Sequence, residues 1–159
     1  MGVTVTKNNV AKVVAAVGKL TSRQVLIGIP AEAANRQDGS FGNAAIGYVQ
    51  EFGSPVNNIP PRPHLVPGVE KAAPQAAKAL QIAGKAALQG DMSKVEDGFD
   101  KAGLLCQSSV RATIAAVLPP PLSPKTISAR QRRGNAGETP LIDTGAYNQA
   151  ITYVVRDKD

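Results

Sequence analysis

Apolar residues recur at three- and four-residue steps over positions 7–20, where Val10, Val13, Val14, Val17 and Leu20 mark one face of an amphipathic helix. Asn8 or Asn9 is placed to cap its start. Over 24–29 the period changes: Val25, Ile27 and Ile29 alternate with Leu26 and Gly28, which reads as a strand ended by Pro30. Residues 31–42 are polar and glycine-rich, too poor in apolar area to pack unaided, and a mobile loop is expected there. Asn43 then caps a short helix with Ala45, Tyr48, Val49 and Phe52 on one face.

Two long helical patterns follow. In the first, Val69, Ala72, Ala73, Ala76, Ala77 and Leu80 form a narrow face of small residues, prolonged by Ala83, Ala87 and Leu88. Pro67 fits its first turn, whereas Pro74 is expected to kink it. Gly90-Asp91 breaks the chain, and Ser93 and Glu96 have the spacing of a capping box. In the second, Val95, Phe99, Ala102, Cys106, Val110, Thr113 and Val117 repeat at steps of four and three, until Pro119-Pro120-Pro121 stops the helix.

Ser123 and Pro124 predict a short capped helix, with proline at its first position and a flexible tip over 131–139 behind it. Asp143 and Thr144 stand where another short helix starts. Ile151, Tyr153 and Val155, alternating with Thr152 and Val154, close the chain as a strand. The elements together predict an α+β fold: a small, mainly antiparallel sheet flanked by helices, with a long helical pair and extended loops. One domain is expected over 1–159, with flexible loops at about 31–42 and 119–140.

Between the short helix and the long pair lies Glu51-Phe52-Gly53-Ser54-Pro55-Val56-Asn57-Asn58-Ile59-Pro60-Pro61-Arg62-Pro63-His64-Leu65. Gly53 permits a positive φ and a helix stop. Pro60, Pro61 and Pro63 each fix φ and remove a donor, so the backbone becomes a stiff extended rod holding Arg62 in a set direction. Such a rod has little ordering entropy left to lose on contact.

Composition narrows the function. Hydrophobic residues make up 43% of the chain but aromatic residues only 4%, so the core is built from small side chains and deep aromatic pockets are not expected. The net charge of +6 permits an acidic partner. That charge is concentrated: no acidic residue occurs between Asp100 and Glu138, while Lys101, Arg111, Lys125, Arg130, Arg132 and Arg133 all do. With no aromatic residues interleaved, single-stranded nucleic acid is a poor fit.

Candidate chemistry is sparse. Cys106, the single cysteine, falls on an apolar helix face and reads as a small buried hydrophobe. His64, the single histidine, has no cysteine or carboxylate at ligand spacing. Gly39-Ser40-Phe41-Gly42 lacks the lysine and spacing of a phosphate loop. Asp143 has no second carboxylate beside it and reads as a cap. Neither an amino-terminal signal segment nor a membrane-spanning stretch is read, so the chain is expected to be made in the cytoplasm. An enzyme is not expected, and neither is a cofactor or metal.

The order of helix, strand, Glu51-Phe52-Gly53, Ile59-Pro60-Pro61-Arg62-Pro63, helical pair, Pro121-Leu122-Ser123-Pro124-Lys125-Thr126-Ile127 and Pro140-Leu141-Ile142-Asp143-Thr144-Gly145 resembles the tail-completion and neck proteins of tailed bacteriophages. These are also described as virion morphogenesis or minor tail-component proteins. The likeness runs from about Val25 to Val155. His64 stands where that family usually has phenylalanine, and Ala146-Tyr147 follows the glycine where leucine is common.

The resemblance implies a structural virion protein, without cofactor, that closes into a homo-oligomeric ring, commonly a hexamer, between the head connector and the tail tube. On that reading Phe52, Ile59, Arg62 and Leu65 fix the rod and form the subunit interface, with Arg62 pairing a carboxylate of its own or an adjacent chain. Arg130, Arg132 and Arg133 form a second arm, reaching an axial neighbour or the DNA passing through the channel. The competing expectation is a basic DNA-binding module acting outside a virion.

Overall fold

A computed structural model describes residues 9–34 and 41–158. Helix α1 (Val10–Ser22) runs directly into strand β1 (Arg23–Gly28), and α2 (Ala31–Ala34) and α3 (Asn43–Phe52) follow. A single 3-10 turn, Pro55–Asn57, leads to the long pair α4 (Leu65–Leu88) and α5 (Met92–Ala115). After α6 (Pro124–Arg132) and α7 (Ala146–Ala150), strand β2 (Thr152–Asp157) returns to pair with β1. The fold is α+β, as the hydrophobic pattern implies.

The two strands are antiparallel, with Val25 opposite Val155, Leu26 opposite Val154 and Ile27 opposite Tyr153. Alternation sends Val25, Ile27 and Val155 towards the helices, where they pack on three linked apolar clusters. Leu26 and Val154 point the other way and remain 39% and 40% exposed, an apolar pair on the outer face between Gln24 opposite Arg156 and Gly28 opposite Thr152.

Helices α4 and α5 approach closely because glycine and alanine meet across their seam. A Cβ on Gly68 would stand 2.7 Å from the Cα of Val110, and one on Gly98 would stand 2.5 Å from the Cβ of Ala83. Gly103 likewise leaves room for the ring of Tyr153. Glycine at these positions sets the distance between backbones, and no larger residue fits without moving one of them.

Several local expectations are corrected. The buried face of α4 is Gly68, Ala72, Ala76, Ala79, Ala83, Ala86 and Ala87, while Ala73 and Ala77 are exposed and Leu88 is 67% exposed. Alanine surrounds this helix, so apolar periodicity alone does not mark the seam that the glycines impose. Pro74, where a kink is expected, lies within the helical run of α4 and on its exposed face, where water can serve the carbonyl left without a donor.

The cap of α5 is Asp91, whose carboxylate accepts from Lys94 N at 3.2 Å, rather than Ser93. Asn43 is the first residue of α3, not its cap; its side chain donates to Ala33 O at 3.1 Å. Helix α5 stops at Ala115, and Val117 beyond it is 63% exposed. The expected cap at Asp143 or Thr144 gives way to Gly145, which takes φ 81 before α7. Residues 7 and 8, and residues 35–40 of the loop expected at 31–42, lie outside the described residues, while its first four residues form α2 rather than loop.

Candidate functional site

The elbow between α3 and α4 starts where Gly53 leaves the helix at φ 78 and donates its N–H to Val49 O. Ser54 and Ile59 then exchange backbone hydrogen bonds of 2.8 and 3.0 Å, closing a tight loop around the 3-10 turn. Arg62 N returns to Gln50 O at 2.6 Å, which ties the proline rod back onto α3. The rod is thus held at both ends before any side chain is counted.

His64, where α4 begins, offers no side-chain cap to the helix. Glu51 supplies it from another element: its carboxylate accepts from the N–H groups of His64, Leu65 and Val66 at 2.8, 2.9 and 3.1 Å. These are among the orphan donors of the first turn, and an anion there also opposes the helix dipole favourably. Burial, to 7% exposure, raises the Glu51 carboxyl. The three N–H bonds and the nearby His64 more than offset this, so it ends below the usual carboxylate range.

His64 is wholly buried. Its Nδ1 faces Arg62 O at 2.8 Å and Glu51 Oε2 at 3.1 Å, both acceptors, so Nδ1 carries the proton. Nε2 lies 2.5 Å from the Tyr147 hydroxyl, which donates to it in the neutral ring. The two rings meet edge to face at 5.5 Å. Burial, and then the charge of Glu51, push the Tyr147 phenol upward, so it remains a donor. The arrangement joins α3, α4 and α7 through one polar chain; every member is satisfied, which makes it a brace.

Two buried arginines complete the elbow. Arg62, 6% exposed, donates through Nε to Pro120 O at 3.0 Å, through one terminal nitrogen to Pro121 O at 3.4 Å, and through the other to Gln50 Oε1 at 3.4 Å. The expected carboxylate partner within the chain is therefore corrected: among the described residues Arg62 bonds carbonyl and amide oxygens. The reason lies in the prolines, which contribute acceptors without donors, so a run of them has surplus carbonyls that a guanidinium can serve.

Arg130 follows the same logic and is corrected too. Instead of projecting from a tip it is 5% exposed, and it donates to the carbonyls of Gly137, Thr139, Ile142 and Pro140 at 2.9–3.1 Å. Asp143 stands 3.6 Å from its Nε. Arg133 pairs with Asp143 at 3.1 Å, and Asn135 donates to the same carboxylate at 2.6 Å. The expected flexible tip is laced onto the segment that follows it. Arg132 is exposed.

The remaining sequence candidates divide by exposure. Leu65 joins the cluster of Val110, Ile114 and Tyr147, and Ile59 is half-buried. Phe52 is 64% exposed and packs against Tyr48, itself 68% exposed, with ring centroids 5.0 Å apart and planes tilted by 50°. Val66 at 52% extends this apolar rim, and Val56, in the 3-10 turn, is 96% exposed. An apolar cleft of about 250 Å³ opens beside it, bordered by Tyr48, Phe52, Val66, His64 and Tyr147. The structure brings together Arg62, Ile59 and Arg130 around one pocket and leaves Arg132 and Arg133 away from it.

Sequence reasoning missed Glu51 as a cap, Tyr147 as the partner of His64 and Asp143 as the holder of the arginine loop. The usable signal was chemical: a single histidine in a proline run, near a carboxylate that ends an apolar helix. Among the described residues no three of His, Cys, Asp and Glu converge as a metal site, and no helix is long and apolar enough to cross a membrane. Comparison with protein-family models, curated proteins and solved structures finds no match to this chain.

Proposed function

We propose that this chain is a structural protein of a phage neck, building a ring, of hexameric type, that completes the tail or joins it to the head connector. The observation that carries this reading is the contrast across the elbow. Its inner side is fixed by Glu51, His64, Arg62 and Arg130, while its outer side presents Tyr48, Phe52, Val56 and Val66 to solvent. A rigid backbone presenting exposed apolar side chains loses little entropy when a neighbour covers them. The exposed pair Leu26 and Val154 on the outer face of the sheet offers a second, smaller apolar surface.

The basic module outside a virion is the weaker reading. With Arg130 internal and Arg133 exposed but ion-paired to Asp143, the unpaired charge near the tip, among the described residues, comes down to Lys125 and Arg132. Sedimentation velocity and negative-stain imaging of the purified chain test the proposal, with a closed ring of one discrete mass expected. A chain that stays monomeric and shifts duplex DNA in a steeply salt-dependent manner would overturn it in favour of the DNA-binding reading.

A further inference from the structure

Arg62 is a buried cation without a buried anion. Its three hydrogen bonds use three of the five guanidinium N–H groups and end on neutral oxygens. No carboxylate among the described residues comes within ion-pair distance of it. Carbonyl dipoles solvate such a charge but do not neutralise it, and a buried charge left in that condition is costly. Beside it opens a pocket of about 350 Å³, lined also by Arg130, Gln50, Leu122, Ser123 and Thr126. No aspartate or glutamate lines this pocket.

We infer that the pocket beside Arg62 is completed by a carboxylate from a second copy of the chain, and that this carboxylate belongs to Asp97. The inference rests on the ring reading and gives that ring its charged contact. Along α5 the neighbouring acids are already engaged: Asp91 with Lys94, Glu96 with Lys19 and Arg23, Asp100 with the Tyr153 hydroxyl. Asp97 is exposed, and its side chain has no partner among the described residues.

Position argues for Asp97 over the other exposed acids. Glu32, Glu70 and Glu138 belong to α2, which is tied to α3 through Asn43, the start of α4 and the loop clasped by Arg130, all towards the pocket's end of the molecule. Asp157 is exposed and lies towards the far end too, but it stands opposite Arg23 in the sheet and between Arg156 and Lys158 in the chain, a basic setting that already offsets its charge. Asp97 adjoins Gly98, which meets Ala83 near the far end of α4, a helix of 24 residues and so about 36 Å long. Pocket and carboxylate therefore lie towards opposite ends of the helical pair, as a head-to-tail contact requires.

The test uses the full chain and sedimentation velocity at low and high salt. Thr126 is the third residue of α6 behind the Ser123 cap, so Thr126→Glu completes a capping box and folds while placing a carboxylate in the pocket. Thr126→Glu and Asp97→Asn are each expected to weaken self-association at least tenfold, while Thr126→Gln, of the same size without the charge, weakens it less than Thr126→Glu does. Thermal melts verify that all three variants are folded. If the wild-type chain forms rings and either Thr126→Glu or Asp97→Asn forms them equally well, the carboxylate contact is wrong and the ring reading stands. If the wild-type chain stays monomeric at every concentration, the ring reading falls and the contact with it.

Discussion

A Cβ built on Gly47 would stand 2.9 Å from the Tyr147 hydroxyl, so the bare backbone of α3 is what admits that phenol to His64. Gly47→Ala adds a methyl where none fits. Helix propensity favours alanine by up to about 1 kcal/mol, but overpacking of this kind costs about 1–3 kcal/mol and a net loss is expected. In a Tyr147→Phe background the nearest remaining atom is Cε2 at 3.3 Å, and the penalty for alanine should shrink. Chemical denaturation of the two single variants and the double variant measures this coupling; strict additivity would refute the contact.

Glu51 makes stability depend on acid. Its folded-state carboxyl titrates below the ordinary value of 4.5, so its contribution is complete above that pH and is lost as pH falls through the lower, folded value. His64 and Tyr147 are the titratable groups joined to it. Glu51→Gln keeps an acceptor but removes the charge, and a cost on the order of 1–2 kcal/mol is expected at neutral pH. That cost should narrow as pH falls below about 4.5, where the wild-type carboxyl gains its proton. Urea midpoints for the two proteins between neutral and acid pH check the convergence. A constant gap would show that the charge is not what matters.

The parts of this fold that were legible in the sequence are those whose partners are near in the chain. Ser123 caps α6 and accepts from Thr126 N at 3.2 Å, three residues away, and Pro124 starts that helix as its fixed φ requires. Strand β1 and the core positions Val95, Phe99, Ala102, Cys106 and Val110 followed from period alone. Partners distant in sequence were not legible. Glu51 caps a helix that starts 14 residues later, and Arg130, one of a concentrated set of basic residues, carries no sign of burial in its own segment. Its burial follows from carbonyls that lack donors, a deficit seen only when the Pro140 segment folds back.

That reading of Arg130 can be tested by an exchange that keeps its charge. Lysine has three donors on a single nitrogen and cannot serve four carbonyls set around a planar fork. Arg130→Lys should cost about 2 kcal/mol and loosen the segment it gathers. Hydrogen exchange at the Ile142 N–H, which bonds Thr139 O at 3.2 Å, is expected to accelerate more than exchange within α4. Equal protection in both proteins would mean that Asp143 and Asn135 hold the loop without the guanidinium.

Two glycine-to-alanine changes in helices should move stability in opposite directions. At Gly68 the obstacle is the Cα of Val110, 2.7 Å from the added Cβ, and a backbone atom cannot swing aside as a side-chain tip can. Gly68→Ala must separate α4 from α5 along a seam whose packing depends on closeness, at a cost of about 2–3 kcal/mol even after the helix-propensity gain. Gly18, within α1, has nothing within 4 Å of the same added atom. There alanine reduces the freedom of the unfolded chain without meeting anything, so Gly18→Ala should stabilise by about 0.5–1 kcal/mol. Thermal melts of both variants decide the matter: a stabilising Gly68→Ala would mean the helices can part freely, and the small-residue seam would not be what sets their separation.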